Sequence, residues 1–475
     1  MNSSFAISPK LNKNKVFLLQ KSEVEKRLDP IYYAHEFNEY DKKLSKKSFK
    51  KFHELLKSVN NGYDFRDYKE SGTPYLKVAN VKQGEFDFRK LQYIGFNSSE
   101  ISKNIQLKKG NILLTRKGTF GNAIALDKDY DYVISSEVFY IELKDQSINP
   151  KFLEIFFNSK IGQAQFDKNK IGAIMGSLSQ EAIRDLKIPF PKIEIQNEVV
   201  NIYSKYLQQK EKNEATAEKL LASIDDYLLN ELGITLPAPP ENILKNRIFT
   251  TTIKTISGDR FDPLYHQGSI YGGLEKSKFK YKNFKEISKY FINGFAAGKQ
   301  DQNIFAEGII QIRPTNISDE REFIFNKNIY IDLSRKNDLK NELLCKNEVL
   351  FNNTNSQELV GKTCVFNLEG DYFCSNHITR IGLHEEYISD YVGVILNLYQ
   401  KNKVFYKSCI NWNNQSGINL DILKTIKIPI PPLDKQKKIA EHISAIRKEA
   451  QQLKDKTKEE LKKASKEIEK ILLTQ

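Results

Sequence analysis

Lys187-Ile-Pro-Phe-Pro-Lys-Ile-Glu-Ile-Gln196 has a near copy in the same chain, Lys427-Ile-Pro-Ile-Pro-Pro-Leu-Asp-Lys-Gln436. Lys187 matches Lys427, Pro189 matches Pro429, Pro191 matches Pro431 and Gln196 matches Gln436, at one offset of 240 residues (427 − 187). A long charged helical pattern follows each copy. An internal repeat of this length means two similar halves. A second doubled motif agrees: Arg27-Leu-Asp-Pro-Ile-Tyr32 is echoed by Arg260-Phe-Asp-Pro-Leu-Tyr265.

Between these markers the halves match step by step. Residues 1–26 read as an irregular or strand-like lead. The stretch after Tyr32 is helical in pattern up to about Lys57. Thr73–Val81 reads as a turn and an alternating strand, with Gly308–Ile317 as its counterpart. Lys109–Thr115 and Lys346–Phe351 are apolar enough to be buried strands. A polar loop follows each, Arg116–Asn122 and Asn352–Glu358. Further strands are expected at Ala123–Leu126, Val138–Leu143, Thr363–Phe366 and Ile378–Leu383. Helical patterns come next at Pro150–Gln165 and Tyr387–Lys401. Each half is thus a strand-rich α+β domain.

After Gln196 the apolar period becomes helical. Val199, Tyr203, Tyr206, Lys210, Asn213, Ala217, Leu220, Ile224 and Tyr227 step by four and three, with Lys210 and Asn213 interrupting the stripe. Gly233 and Pro237 stop it. The second stripe runs Ile439, Ile443, Ile446, Ala450, Leu453, Thr457, Leu461, Ala464, Ile468 and Ile471, with a stutter at Leu461. Neither helix can bury its stripe alone, so the simplest expectation packs the two together as an antiparallel coiled coil.

The 475-residue chain is long enough for more than one core. Its 40% hydrophobic and 28% charged residues describe a soluble globular protein. Apolar runs such as Val16–Leu19 are far too short to span a membrane. Met1–Ile7 shows no basic-then-apolar leader, so the cytosol is the expected compartment. A net charge of +14 favours a polyanionic partner. Four cysteines, Cys345, Cys364, Cys374 and Cys409, form no CxxC pair and fit reduced structural thiols.

Catalytic constellations are missing from the pattern. Gly361-Lys-Thr363 has Ser356 where a phosphate loop needs glycine, and Gly294 to Gln300 has the wrong spacing and no Ser or Thr for magnesium. Cys364, Cys374, His377 and His384 match no common zinc spacing. Glu142-Leu-Lys144 lacks the upstream acid of a nuclease. Asn149-Pro-Lys-Phe152 lacks the second proline of a methyltransferase motif. The residues argue for a binding protein with no active site.

The doubled Ile-Pro-x-Pro…Gln boundaries with their helices, the doubled Arg-x-Asp-Pro-x-Tyr motifs and the doubled strand-and-polar-loop units resemble the specificity subunit of type I restriction–modification enzymes. The resemblance covers essentially the whole chain. It implies target-recognition domains at 1–191 and 248–431, helical spacers at 192–233 and 432–475, and a linker at 234–247. It implies a bipartite, asymmetric double-stranded DNA site, because the two loops differ too much to read a palindrome. It further implies two methyltransferase (modification) subunits and restriction/translocase subunits as partners, with no membrane. No cofactor is then bound by this chain, and S-adenosylmethionine, ATP and Mg are used by the partner subunits.

Phosphates call for cations, and base edges call for amide and guanidinium forks. On that chemistry the candidates in the first half are Lys77, Asn80, Arg116, Lys117 and Thr119. In the second they are Arg313, Asn316, Asn352, Asn353, Thr354, Asn355, Ser356, Asn376, His377, Asn413 and Asn414. Asn and Gly also favour ordinary turns, and Trp412 fits either core or interface. For the spacer helices the candidates are Tyr206, Leu220, Ile224, Ile443, Ile446 and Leu453. Two other readings suit the same residues: a DNA-recognition subunit of another phage-defence methylation system, and a protein scaffold whose basic charge is incidental.

Overall fold

The computed structural model describes residues 8, 11–12, 15–24, 28–95, 105–172, 176–238, 243–256, 260–303, 307–413 and 415–474. Arg27, Asn414, much of 1–26 and the middle of the 234–247 linker lie outside them. The chain forms two compact units, residues 1–213 with 455–475, and residues 214–454. Helices of nine residues or more are labelled below.

In the first unit, helix α1 (His35–Ser45) ends well before Lys57. The expected longer helix is broken because Phe49–Lys51 (β1) pairs antiparallel with Lys187–Pro189 of the quoted stretch. A single turn at Phe52–Leu55 then leads into β2 (Leu56–Asn61). The remaining strands are β3 (Thr73–Leu76), β4 (Gln92–Ile94), β5 (Ile112–Thr115), β6 (Ala123–Ala125), β7 (Val133–Ile134) and β8 (Val138–Leu143). They form a four-stranded antiparallel sheet in the order β2-β8-β5-β6 and a three-stranded sheet in the order β4-β3-β7. In the latter, β3 is antiparallel to β4 and parallel to β7.

Strand β5 shows why the run Ile112-Leu-Leu-Thr115 must be apolar. Side chains alternate across a strand. Ile112 and Leu114 enter the core shared with the helices, while Leu113 enters a second core on the opposite face. The expected helix Pro150–Gln165 is two helices, α2 (Pro150–Asn158) and α3 (Lys160–Asn169). Ser159 is extended between them, and its Oγ accepts from Gly162 N, 3.3 Å away, to cap the second. The quoted stretch supplies β9 (Lys187–Pro189) and then α4 (Ile193–Leu232), 40 residues long.

The second unit repeats this plan. Its strands are β10 (Tyr281–Asn283), β11 (Ser288–Asn293), β12 (Ile309–Ile312), β13 (Ile329–Ile331), β14 (Glu348–Asn352), β15 (Thr354–Asn355), β16 (Thr363–Phe366), β17 (Tyr372–Cys374) and β18 (Ile378–Leu383). Helix α5 (Ser389–Lys401) is followed by β19 (Ile410–Trp412), β20 (Gln415–Gly417), β21 (Lys427–Pro429) and α6 (Leu433–Thr474), 42 residues long. The sheets β11-β18-β14-β16 and β13-β12-β17 copy those of the first unit, and β10 pairs with β21 as β1 pairs with β9. A further sheet, β15-β20-β19, is seen among the described residues of this unit.

The motif glutamine does the same work twice. Gln196 Oε1 accepts from Asn149 N (2.7 Å), and its Nε2 donates to Pro191 O (3.0 Å). Gln436 Oε1 accepts from Ile388 N (3.1 Å), and its Nε2 donates to Pro431 O (3.0 Å). Both side chains are buried. Each therefore ties the start of a long helix to the backbone leading into the domain helix.

The long helices share in both cores. In the first unit Ile468 and Leu472 pack with Val199, and Asn213 Nδ2 donates to Thr457 Oγ1 at 3.0 Å. In the second unit Ile224, Leu228 and Leu232 pack with Ile439, Ile443 and Ile446. Tyr206 is buried, and Leu220 and Leu453 are half-buried. Asn213, expected as an interruption, is instead a buried polar partner. Leu461, expected within the stripe, is 41% exposed, and the buried seam runs from Thr457 to Ala464. Among the described residues no helix is long and apolar enough to cross a membrane.

Candidate nucleic-acid interface

In each unit the strand ends converge at one edge. In the first, β2 ends where β8 begins (Asn61 opposite Phe139), and β5 ends opposite Val138. The second sheet reaches the same place, because Tyr63 bridges to Ser135 and Ser135 N donates to Leu76 O. The polar loop after β5 joins them: Arg116 N donates to Glu137 O, and Lys117 bridges to Ser177. The second unit builds the same edge from Asn293–Phe295, Arg313, Asn353–Ser356 and Ser375–His377. There Ser375 N donates to Ile312 O, and Asn353 N donates to His377 O.

A glycine is required at the crossing in both units. A Cβ on Gly62 would lie 2.1 Å from Ile134 O, and one on Gly294 would lie 2.2 Å from Cys374 O. The repeated Asn-Gly-aromatic steps, Asn61-Gly-Tyr63 and Asn293-Gly-Phe295, were the available signal for this edge, and the sequence expectations missed them. Asn61, which accepts from Gln180 Nε2 at 3.4 Å, and Ser135 and Ser375 were missed with them.

Several expected contacts turn inward. Asn80 is buried, its Oδ1 accepting from Lys77 N (3.0 Å) and its Nδ2 donating to Asp87 O (2.8 Å). Asn316 is its equivalent, accepting from Arg313 N (2.9 Å) and donating to Ile324 O (2.9 Å). These bonds close 3₁₀ turns at Val78–Asn80 and Pro314–Asn316, so the expected longer strands stop at Leu76 and Ile312. Asn352 and Asn353 are also buried; Asn353 Nδ2 donates to Thr379 Oγ1 (3.0 Å) and Asn376 O (3.2 Å). These four asparagines are almost wholly buried and hold the framework.

The others remain at the surface. Lys117, Thr119, Ser356, Asn376 and Asn413 are exposed, and Lys77, Arg116, Arg313, Thr354, Asn355 and His377 are half-buried. Lys77 Nζ sits 4.4 Å from the Tyr68 ring centroid. The Arg116 guanidinium lies 5.1 Å over the Phe139 ring, with Nη1 3.4 Å from Ser136 O. Arg116 Nε, Arg313 Nε and the equivalent hydroxyls of Ser135 and Ser375 are buried and make no hydrogen bond. Nearby, Tyr75 Oη donates to Tyr63 O (2.6 Å), and burial raises its phenol pKa.

Elsewhere the units differ in what they enclose. Glu154 on α2 fills its site in the first unit, whereas the repeat puts Gly393 there in the second. That position borders a cavity of about 460 Å³ that Arg321, Asp390 and Arg447 also line. Its charges are of mixed sign. Cys364 and Cys374 are buried, and burial pushes both thiols up to about 12. Among the described residues no group of three His, Cys, Asp or Glu is placed to hold a metal.

One framework used twice, with differently furnished polar edges, defines a doubled recognition protein. A family model described as the type I restriction modification DNA specificity domain matches residues 44–222 and again 276–463. The chain belongs to this family. It is 29% identical over 165 residues to the type I restriction enzyme MjaX specificity subunit of Methanocaldococcus jannaschii, covering 34% of this chain and 38% of that relative. With the MjaVIII specificity subunit of the same organism it is 21% identical over 422 residues, covering 86% and 90%. A solved chain from work on the assembly and conformational transition of the type I R-M system aligns over 90% of this chain and 97% of its own. Its TM-score is 0.50 at 13% identity, a likeness of fold.

Proposed function

We propose that this chain is the DNA-specificity subunit of a type I restriction–modification complex. Each unit reads one half of a bipartite, asymmetric double-stranded site. The observation that carries this reading is the doubled edge: one framework, but Arg116–Thr119 in the first unit against Thr354–Ser356 in the second. Cations beside glycine suit phosphate contact, and amides and hydroxyls suit base edges. The unpaired Arg116 and Arg313 nitrogens supply donors at both edges.

In this reading residues 1–191 and 248–431 are the target-recognition domains, and 234–247 is the linker. Helices α4 and α6 form an antiparallel coiled coil that fixes the spacing, with 192–233 and 432–475 as its strands. Within the first unit the start of α4 meets the end of α6, and within the second the end of α4 meets its start. The helices and framework dock two methyltransferase subunits and the restriction/translocase subunits. S-adenosylmethionine, ATP and Mg belong to those partners, and the complex works in the cytoplasm.

The test is to map methylated adenines in host DNA with and without the gene. A split, non-palindromic motif that vanishes on deletion is the expected result. An unchanged methylation map, with no salt-dependent DNA binding by the complex, would leave a protein scaffold instead.

A further inference from the structure

We infer that the ribbon formed by β19 and β20 is a reading element of the second unit, and that Trp412 is a specificity-determining residue whose indole packs on the bases of its half-site. The inference rests on the DNA-reading function proposed above and names a contact within it.

The ribbon is unusually placed for a strand pair. Ile410 lies opposite Gly417, Asn411 opposite Ser416 and Trp412 opposite Gln415. All three residues of β19 are exposed. Ile410 is 40% and Trp412 45% exposed, a large apolar surface on a short ribbon. Strand β19 is the open edge of the three-stranded sheet β15-β20-β19, and exposed strand edges invite pairing. An open sheet edge carrying two exposed apolar side chains is a place where a partner can pack.

The root of the ribbon is rigid. Strand β20 pairs with β15, Ser416 Oγ donates to Asn411 Oδ1 at 2.6 Å, and Ile418 N donates to Asn353 O at 2.9 Å. The ribbon therefore extends the edge that carries Thr354, Asn355 and His377. The indole itself is seated. A Cβ on Gly417, diagonal to Trp412 across the ribbon, would lie 2.4 Å from Trp412 Cη2, so glycine there lets the ring lie against the strand. Trp412 as a whole stays exposed.

A two-stranded ribbon fits the major groove of duplex DNA. Exposed Asn413 and Gln415 supply amides beside the indole, and an aromatic face against bases or a thymine methyl supplies apolar contact. The first unit keeps the root of this ribbon: Ile171 bridges Ser177, which bridges Lys117, and Ile171 is 55% exposed. Tryptophan occurs once in the chain, so this contact belongs to the second half-site alone.

The test uses the assembled complex and a labelled duplex carrying the motif mapped from host DNA. W412A is expected to bind this duplex about tenfold more weakly, as expected for the loss of one base–aromatic contact. The dependence on salt should not change, because no phosphate contact is lost. W412A should also tolerate base changes in one half-site only, and W412F should recover most of the affinity. Since Trp412 is exposed, the thermal midpoint should hold. Wild-type affinity and an unchanged motif for W412A would overturn the inference, as would loss of complex assembly with DNA affinity intact. If the wild-type complex does not prefer its mapped duplex to a scrambled one, the DNA-reading function fails and this contact with it.

Discussion

Arg380 holds Glu348 inside the second unit with two donors on one oxygen: Nε at 2.9 Å and Nη2 at 2.7 Å from Glu348 Oε1. Both side chains are almost fully buried. Burial works against the guanidinium charge, but the carboxylate beside it keeps the Arg380 pKa above its usual value. Breaking such a pair leaves one buried charge alone, whereas replacing both members can be close to neutral. E348A should therefore cost about 3–5 kcal/mol, and the R380M/E348L double variant much less, read from denaturant midpoints. The first unit solves the same position without charge, with Asn111 Nδ2 donating to Tyr140 Oη at 2.7 Å. N111A should cost only about 1 kcal/mol.

Glu154 carries a pH prediction. Burial pushes its carboxyl upward, opposed by Lys151 Nζ at 2.6 Å and by Ala125 N at 2.7 Å. Its folded pKa thus lies above the unfolded one, so the folded state binds more protons in that window. Stability should fall as pH rises from the ordinary carboxylate range through the folded pKa. E154Q should flatten that slope, which urea titrations at a series of pH values will show. An equal slope in the variant would contradict the assignment.

Thiol reactivity follows burial. Cys345 is exposed, while burial raises the pKa of Cys364, Cys374 and Cys409. The thiolate is the reactive form. Iodoacetamide should label one site quickly in the folded chain and all four after denaturation. Peptide mapping should place the fast site at Cys345.

At the first edge, Lys117→Ala should lower the slope of log K against log salt by about one. Affinity should fall evenly across sequences. Arg116→Ala should weaken binding of the assembled complex and relax the motif at one half-site, read by methylation mapping. Unchanged affinity and specificity in both would remove this loop from the interface.

The framework was legible because the repeat applies every signal twice. The buried runs at Ile112 and Val349, the domain helices and both long helices all follow from period and doubling. Local competition was harder to read. Phe49–Lys51 looks helical by pattern, and only its remote partner Lys187–Pro189 makes it a strand. The site was legible as loops more than as residues. Asn80, Asn316, Asn352 and Asn353 have the chemistry of base readers but use it on backbone and neighbouring side chains. An amide that closes a turn and an amide that reads DNA look the same in a sequence. Asn213 shows the reverse error, since a polar break in a stripe proved to be a buried bond to Thr457.

The first unit draws part of its core from very late in the chain. Ile468 and Leu472 cover Val199 and its neighbours, and Lys47 Nζ donates to Thr474 O at 2.9 Å. A ribosome making this protein must therefore release the second unit before the first can close its core. The first 213 residues should wait with an apolar seam open, exposed to chaperones and to other nascent chains. Truncation after Lys454 should then cripple the first unit, which loses residues 455–475, more than the second, which loses none.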